Sequence, residues 1–277
     1  MRFYIFICGL VLNAVGLSLD AVEPEKHILP LAKDMIRSDV YRADKNLNPQ
    51  AVLILCPGYN GNGGELVSIK AWQDYANDSN LGLLGLSFAS EPELFSKGRG
   101  YYYASNGSGE VLLRGIKKIY GRDLPILIYG FSGGAHFCSR FVEWSPKRIK
   151  TWCAYSAGWW DEPLISQVMP PGIVACGNED ERYGATLTYF LKGRAAGKPW
   201  TWVSLPKTGH SPSDKLDEFV RSYFTAILKS SLSPKGLWKD CGTKVRLTPV
   251  QVKQYPTLAV WLPTEDIGTK WEAIHHP

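Results

Sequence analysis

Six apolar runs divide the chain, each closed by glycine, proline or small polar residues. Residues 51–56, 81–88, 126–129, 149–155, 172–176 and 200–205 lack the alternation of a half-exposed strand, so they predict strands buried on both faces of a sheet. Between them apolar residues recur at helical spacing. The sets are Leu66, Ile69, Trp72, Tyr75 and Ala76; Val111, Leu112, Ile116 and Ile119; Phe137, Cys138, Phe141 and Val142; and the stretch 187–191. A last stripe runs from Leu216 through Phe219, Val220, Tyr223, Phe224 and Ile227 to Leu228. Strand alternating with helix five times over predicts an α/β chain with a doubly wound, mostly parallel sheet.

The flanks are less regular. Val40 and Tyr41 fit an early antiparallel strand, and Ser211-Pro212-Ser213-Asp214 reads as a helix start with Ser211 as N-cap and Pro212 in the first turn. Beyond Ser230 the alternation fails. Residues 231–277 carry scattered prolines, possible strand positions at Val245, Leu247 and Val250, and aromatics at Trp261 and Trp271, which suggests an extension wrapped on the sheet.

Composition narrows the class. The 277 residues, 45% hydrophobic and 21% charged, suffice for one large domain with a proper core. The net charge of +5 is spread without a basic run or a nucleic-acid motif, which argues against nucleic acid as partner. Met1-Arg2 followed by an apolar stretch to Leu19 has the form of a secretory signal, implying a secreted or periplasmic protein; an uncleaved membrane anchor is the second reading. Six cysteines include Cys8 in that segment. Cys56, Cys138, Cys153 and Cys176 lie in apolar runs with no paired metal spacing, so they read as small buried hydrophobes, and Cys241 has no assignment.

The run ending at Tyr129 stops at Gly130-Phe131-Ser132-Gly133-Gly134, a Gly-x-Ser-x-Gly turn between strand and helix that lifts a serine hydroxyl clear of the sheet. Such a hydroxyl needs a base, and the base needs a carboxylate to hold its tautomer. Asp180 follows the 172–176 run and His210 follows the 200–205 run, so parallel strands would bring all three to one edge. Glu179, Glu181 and Asp161 are the rivals of Asp180. Among the histidines, His136 sits one helical turn past Ser132 and reads as packed, while His27, His275 and His276 lie toward the ends. Tyr101, Tyr102 and Tyr103 leave the carboxyl end of a strand, and Trp159 and Trp160 close another; each set either contacts substrate or covers the core's rim. Asn60, in a glycine-rich loop, joins Tyr102, Trp159 and Trp160 as a candidate substrate contact. The link between the 149–155 and 172–176 runs is too short for a helical cap, so the cleft should be open.

The Gly130–Gly134 turn, Gly177-Asn178-Glu179-Asp180 and Gly209-His210-Ser211 together resemble the nucleophile elbow, acid turn and histidine loop of the α/β-hydrolase superfamily, over roughly residues 50 to 230. The Pro57-Gly58-Tyr59 loop and export signal are most similar to secreted esterases of the polyhydroxybutyrate depolymerase and feruloyl esterase kind. The resemblance implies a catalytic domain over 22–230 between a signal peptide over 1–21 and the extension over 231–277, packed on the same domain. It implies a serine hydrolase of carboxylic esters with Ser132 as nucleophile, His210 as base and Asp180 as its partner, needing no cofactor or metal. An oxyanion hole is implied from the Gly133 N–H and a second donor in the loop after Gly58, Tyr59 being the candidate. The substrate would be an ester, bulky or polymer-linked. A peptidase or acyltransferase with the same triad, and a non-catalytic glycan- or polymer-binding module, stay open as alternatives.

Overall fold

The computed structural model describes residues 21–165, 168–230 and 236–275. Residues 1–20 of the secretory signal read over 1–21, with Cys8, and the tail residue His276 lie outside the described residues.

Eight strands form one sheet in the order β1-β2-β4-β3-β5-β6-β7-β8. They are β1 (Glu25–Ile28), β2 (Arg37–Arg42), β3 (Ala51–Cys56), β4 (Leu81–Ala89), β5 (Ile126–Phe131), β6 (Ile149–Tyr155), β7 (Gly172–Gly177) and β8 (Trp200–Leu205). β1 and β2 pair antiparallel to their neighbours, whereas β4, β3, β5, β6, β7 and β8 are parallel throughout. Every residue of β3 and β4 is buried, as an unbroken apolar run requires when helices cover both faces. β1 is not foreseen from the sequence, because its mostly exposed pattern at the sheet's edge leaves no apolar signal.

The connecting helices are α1 (Gly63–Val67), α2 (Lys70–Asp78), α3 (Ser108–Tyr120), α4 (Gly133–Trp144), α5 (Tyr183–Ala195) and α6 (Asp214–Lys229). The apolar set from Leu66 to Ala76 does not form one helix. Ser68 turns both its N–H and its hydroxyl onto the Gly64 carbonyl, which closes α1, and Ile69 is then extended and 44% exposed before α2 begins. The start of α6 also differs from expectation. Ser213, not Ser211, is the N-cap, its hydroxyl accepting from the Leu216 N–H. Ser211 is held in the preceding loop, where its carbonyl accepts from the Tyr155 hydroxyl at 2.6 Å.

The C-terminal segment supplies a second, two-stranded sheet of β9 (Leu237–Asp240) and β10 (Ala259–Leu262), with α7 (Pro249–Gln254) between them and α8 (Glu265–Ile274) last. Val245 and Leu247 flank a single antiparallel bridge of Arg246 onto β9, bonding Asp240 and Trp238 through the backbone, whereas Val250 is helical. Thr248 and Gln251 make a reciprocal capping box with Pro249 in the first turn, which commits Val250 to a helix. Trp261 and Trp271 are buried in the same continuous core as the large sheet, and the Trp271 indole N–H donates to the Trp202 carbonyl at 2.6 Å. Cys56, Cys138, Cys153 and Cys176 are buried and unpaired, and Cys241 is unpaired and half-buried. No described helix is long and apolar enough to cross a membrane.

Candidate active site

The parallel registers pair Cys56 with Gly130, Phe131 with Tyr155 and Gly177 with Leu205, so the loops after β3, β5, β6, β7 and β8 leave the sheet along one edge. Ser132 stands at the turn from β5 into α4. Its backbone is at φ 53° and ψ −114°, an unfavourable region for a residue with a side chain and one that stores roughly 1–3 kcal/mol of strain. Its N–H is tied to the Tyr155 carbonyl at 2.8 Å. Glycine is required on either side. A Cβ on Gly130 would lie 2.2 Å from the Gly134 carbonyl oxygen, and one on Gly134 would lie 2.1 Å from the Cys56 carbonyl oxygen. Gly134→Ala is therefore expected to lower unfolding stability by about 3 kcal/mol, read as the midpoint of urea denaturation. Gly184, in the first turn of α5 with open space around it, is the control; alanine there should be neutral or slightly stabilising.

The His210 ring bridges the two partners. Its Nε2 lies 2.9 Å from Ser132 Oγ, and its Nδ1 lies 2.8 Å from Asp180 Oδ2. Phe131 stacks on the imidazole at a centroid distance of 4.9 Å. The acid and histidine loops touch directly, the Glu179 N–H donating to the Thr208 carbonyl at 3.0 Å. A Cβ on Gly177 would lie 2.1 Å from that carbonyl oxygen, so only glycine permits the contact.

Asp180 is fully buried at its side chain. Burial pushes its carboxyl up, but the Arg182 backbone N–H, His210, the Ser156 hydroxyl and the Arg182 guanidinium together bring it down to about 2. Oδ1 takes the Arg182 backbone N–H at 3.0 Å and its guanidinium at 3.1 Å, leaving Oδ2 for the histidine. The rivals are elsewhere. Glu181 is exposed and pairs with Arg182, Asp161 pairs with Arg140 at 2.6 Å, and Glu179 is exposed.

Gly133 opens α4, so its N–H has no carbonyl within the helix to meet. The backbone N of Tyr59 is close by: a Cβ on Gly133 would lie 2.5 Å from it. The Tyr59 backbone thus lies against the residue that follows Ser132, at the positive end of a twelve-residue helix.

A cleft of about 720 Å³ opens over Ser132, lined among others by Tyr59, Phe95, Tyr102, Trp159 and Arg182. Phe95, Tyr102, His136 and Trp159 form a ladder of stacked rings with successive centroid distances of 4.0, 4.9 and 3.9 Å. Burial, then Arg140 and Arg182, push the His136 imidazole down to about 3. It is thus neutral at ordinary pH, its Nε2 accepting the Gly158 N–H at 3.1 Å. Two expected substrate contacts do not line this cleft. Asn60 spends both ends of its amide on the Ser90 backbone, and Trp160 stacks on Tyr189 and donates to Thr186 Oγ1, in a neighbouring depression. A second depression of about 700 Å³, between α2, α6 and α8, contains none of Ser132, His210 and Asp180. Among the described residues no group of three or more His, Cys, Asp or Glu side chains is placed to hold a metal ion.

Sequence reasoning missed Ser156 and Arg182, whereas His136 is packed as its place in the helix suggested. Arg182 carried one signal, its place two residues after the acid in the same turn, where a side chain reaches back to the carboxylate. Ser156 is buried with φ 58°, and nothing in its local sequence distinguishes it from an ordinary turn serine.

No family model matches the sequence, and no curated protein matches it. Solved structures do. Poly(aspartic acid) hydrolase-1 from Sphingomonas sp. KT-1 is similar with a TM-score of 0.54 at 17% identity, covering 74% of this chain and 97% of that one. LpqC, a poly(3-hydroxybutyrate) depolymerase from Bordetella parapertussis, gives 0.52 at 15%, over 76% and 92%. The acylaminoacyl peptidase of Pyrococcus horikoshii gives 0.58 at 13%, covering 78% of this chain but 43% of that longer one. The chain has the α/β-hydrolase fold, and the described residues form no large cap over the cleft.

Proposed function

We propose that the protein is a serine hydrolase of carboxylic esters that works through an acyl-enzyme. The observation that carries this reading is the continuous relay from Ser132 Oγ through His210 to Asp180, with contacts of 2.9 and 2.8 Å, at the floor of an open cleft. His210 Nε2 takes the hydroxyl proton as Oγ attacks the ester carbonyl, and the new oxyanion is met by the N–H groups of Gly133 and Tyr59. The tetrahedral adduct collapses as His210 returns the proton to the leaving alcohol. Water, deprotonated by the same imidazole, then releases the acid and restores the serine. Asp180 stays ionised throughout and holds the proton of Nδ1 in place.

The cleft is open and does not tightly enclose what it binds. Tyr59 and Trp159 are 47% and 44% exposed on its rim, and no helix is described between β6 and β7 to cover it, which supports a bulky or polymer-linked ester. The test is fluorophosphonate labelling with the adduct mapped by mass spectrometry, alongside turnover of p-nitrophenyl, acetyl-sugar and hydroxyalkanoate esters and matching amides. A single adduct on Ser132 and turnover of esters above amides is the expected result. A chain that takes no label at Ser132 and cleaves no ester refutes the reading, and amides outpacing esters would make it a peptidase.

A further inference from the structure

The loop that presents the Tyr59 N–H is not held by regular structure. It runs from Pro57 to Asn62 between β3 and α1, and Asn60 occupies the left-handed region at φ 48°, which asparagine tolerates better than other residues with a side chain but which is less favourable than an extended or helical conformation. An oxyanion donor must be fixed before reaction, because a group that reorganises in the transition state loses most of its value. Something outside the loop has to keep it strained.

Two side chains grip the residue next to Tyr59. Arg37, at the start of β2, sends one terminal guanidinium nitrogen to the carbonyls of Asn60 and Gly61, the second at 2.7 Å. Its Nε donates to the Ser87 carbonyl of β4 at 3.0 Å, so one rigid fork ties the loop to a core strand. From the other side the Tyr101 hydroxyl accepts the Asn60 N–H at 3.2 Å; that ring is buried, and burial keeps its hydroxyl neutral. The Asn60 amide closes the grip on Ser90. None of these groups belongs to the Ser132, His210 and Asp180 relay.

We infer that Arg37 and Tyr101 are positioning residues that clamp the loop after β3, so that the Tyr59 N–H stands fixed beside that of Gly133. This rests on the reading of Ser132 as an acyl-transfer nucleophile. The clamp touches no substrate, so its loss should leave ground-state binding alone and weaken only what is formed in the transition state. Arg37→Gln should lower kcat for p-nitrophenyl butyrate about 100-fold with KM within about threefold, since the effect approaches loss of one oxyanion donor. Arg37→Lys, which keeps the charge but not the fork, should recover part of that, and Tyr101→Phe should cost about tenfold. Affinity for a boronic acid, which forms a tetrahedral adduct on serine, should fall in step with kcat, while the pH profile stays put.

Folded variants with kcat and boronate affinity within about twofold of wild type would overturn the clamp, as would a rise in KM at constant kcat. Should the Arg37 variants fail to fold, Tyr101→Phe, which loses a single oxygen, decides alone: unchanged kcat overturns the inference. Wild-type protein that neither hydrolyses the ester nor takes a fluorophosphonate would overturn the hydrolase reading and the clamp with it, whereas an active wild type with indifferent variants removes the clamp only.

Discussion

Ser132→Ala is expected to lower kcat for p-nitrophenyl acetate by about 10⁵-fold or more and to abolish fluorophosphonate labelling. On the proposed mechanism the size follows from removing the group that would form the acyl-enzyme. His210 and Asp180 would remain hydrogen-bonded to each other, but the imidazole would have no hydroxyl to deprotonate. The residual rate would come from water activated in the cleft and from the Gly133 and Tyr59 N–H groups. Stability should not fall with activity. Ser132 makes no side-chain cap on α4, and its backbone ties to Tyr155 survive the change. The paired measurement is steady-state kinetics with thermal unfolding on the same preparation. A folded variant hydrolysing within tenfold of wild type would place the chemistry elsewhere.

Asp180→Asn is expected to cost about 10⁴-fold in kcat with little change in shape. The geometry fixes which way the amide turns. The oxygen at the Oδ1 position accepts from the Arg182 backbone N–H and guanidinium, so in asparagine the amide oxygen stays there and the NH₂ faces His210 Nδ1. An NH₂ donates, which forces the imidazole proton onto Nε2, the nitrogen that must accept from Ser132. The base is then present in the wrong tautomer.

The same carboxylate carries a pH signature. Its donors hold it at about 2 in the folded protein, below the value of about 3.9 for an exposed aspartate. A depressed folded value means that the folded state binds fewer protons than the unfolded state between those limits. The stabilisation is therefore complete above about pH 4 and is lost as pH falls toward 2. Wild type should lose its stability advantage over Asp180→Asn across that interval, measured as urea midpoints at a series of acidic pH values. An advantage that stays constant over that range would show that Asp180 is not held ionised by its partners.

The local pattern carried the sheet because burial on two faces leaves a strand no freedom to be polar. Residues 51–56 and 149–155 form strands at the bounds their apolar runs define, since Pro57 and Ser156 end them abruptly. The Ser132 turn was legible for a related reason: Gly130 and Gly134 are needed by contacts of 2.2 and 2.1 Å that any side chain would violate, so the strain leaves a signature in the residues around it. Asp180 and His210 were legible because each ends a buried strand. Trp160 and Asn60 were misplaced because an aromatic or an amide beside a strand end looks the same whether it faces the cleft or a neighbouring residue. The α1 and α2 break was hidden because Ser68 closes the turn through a single carbonyl, without glycine or proline to announce it.

The sequence by itself determined the parallel sheet, the elbow and the strand ends at which the reactive groups stand, because backbone burial and steric exclusion act over a few neighbouring residues. Tertiary structure alone decided that Ser156 serves Asp180, that His136 is a neutral wall of the cleft, and that Arg37 reaches Asn60 from β2, one strand in from the sheet's edge. Those are hydrogen bonds between positions remote along the chain or in unremarkable turns, fixed by which loops the sheet brings together. A side chain's identity permits many such partners, and only the packed fold selects one.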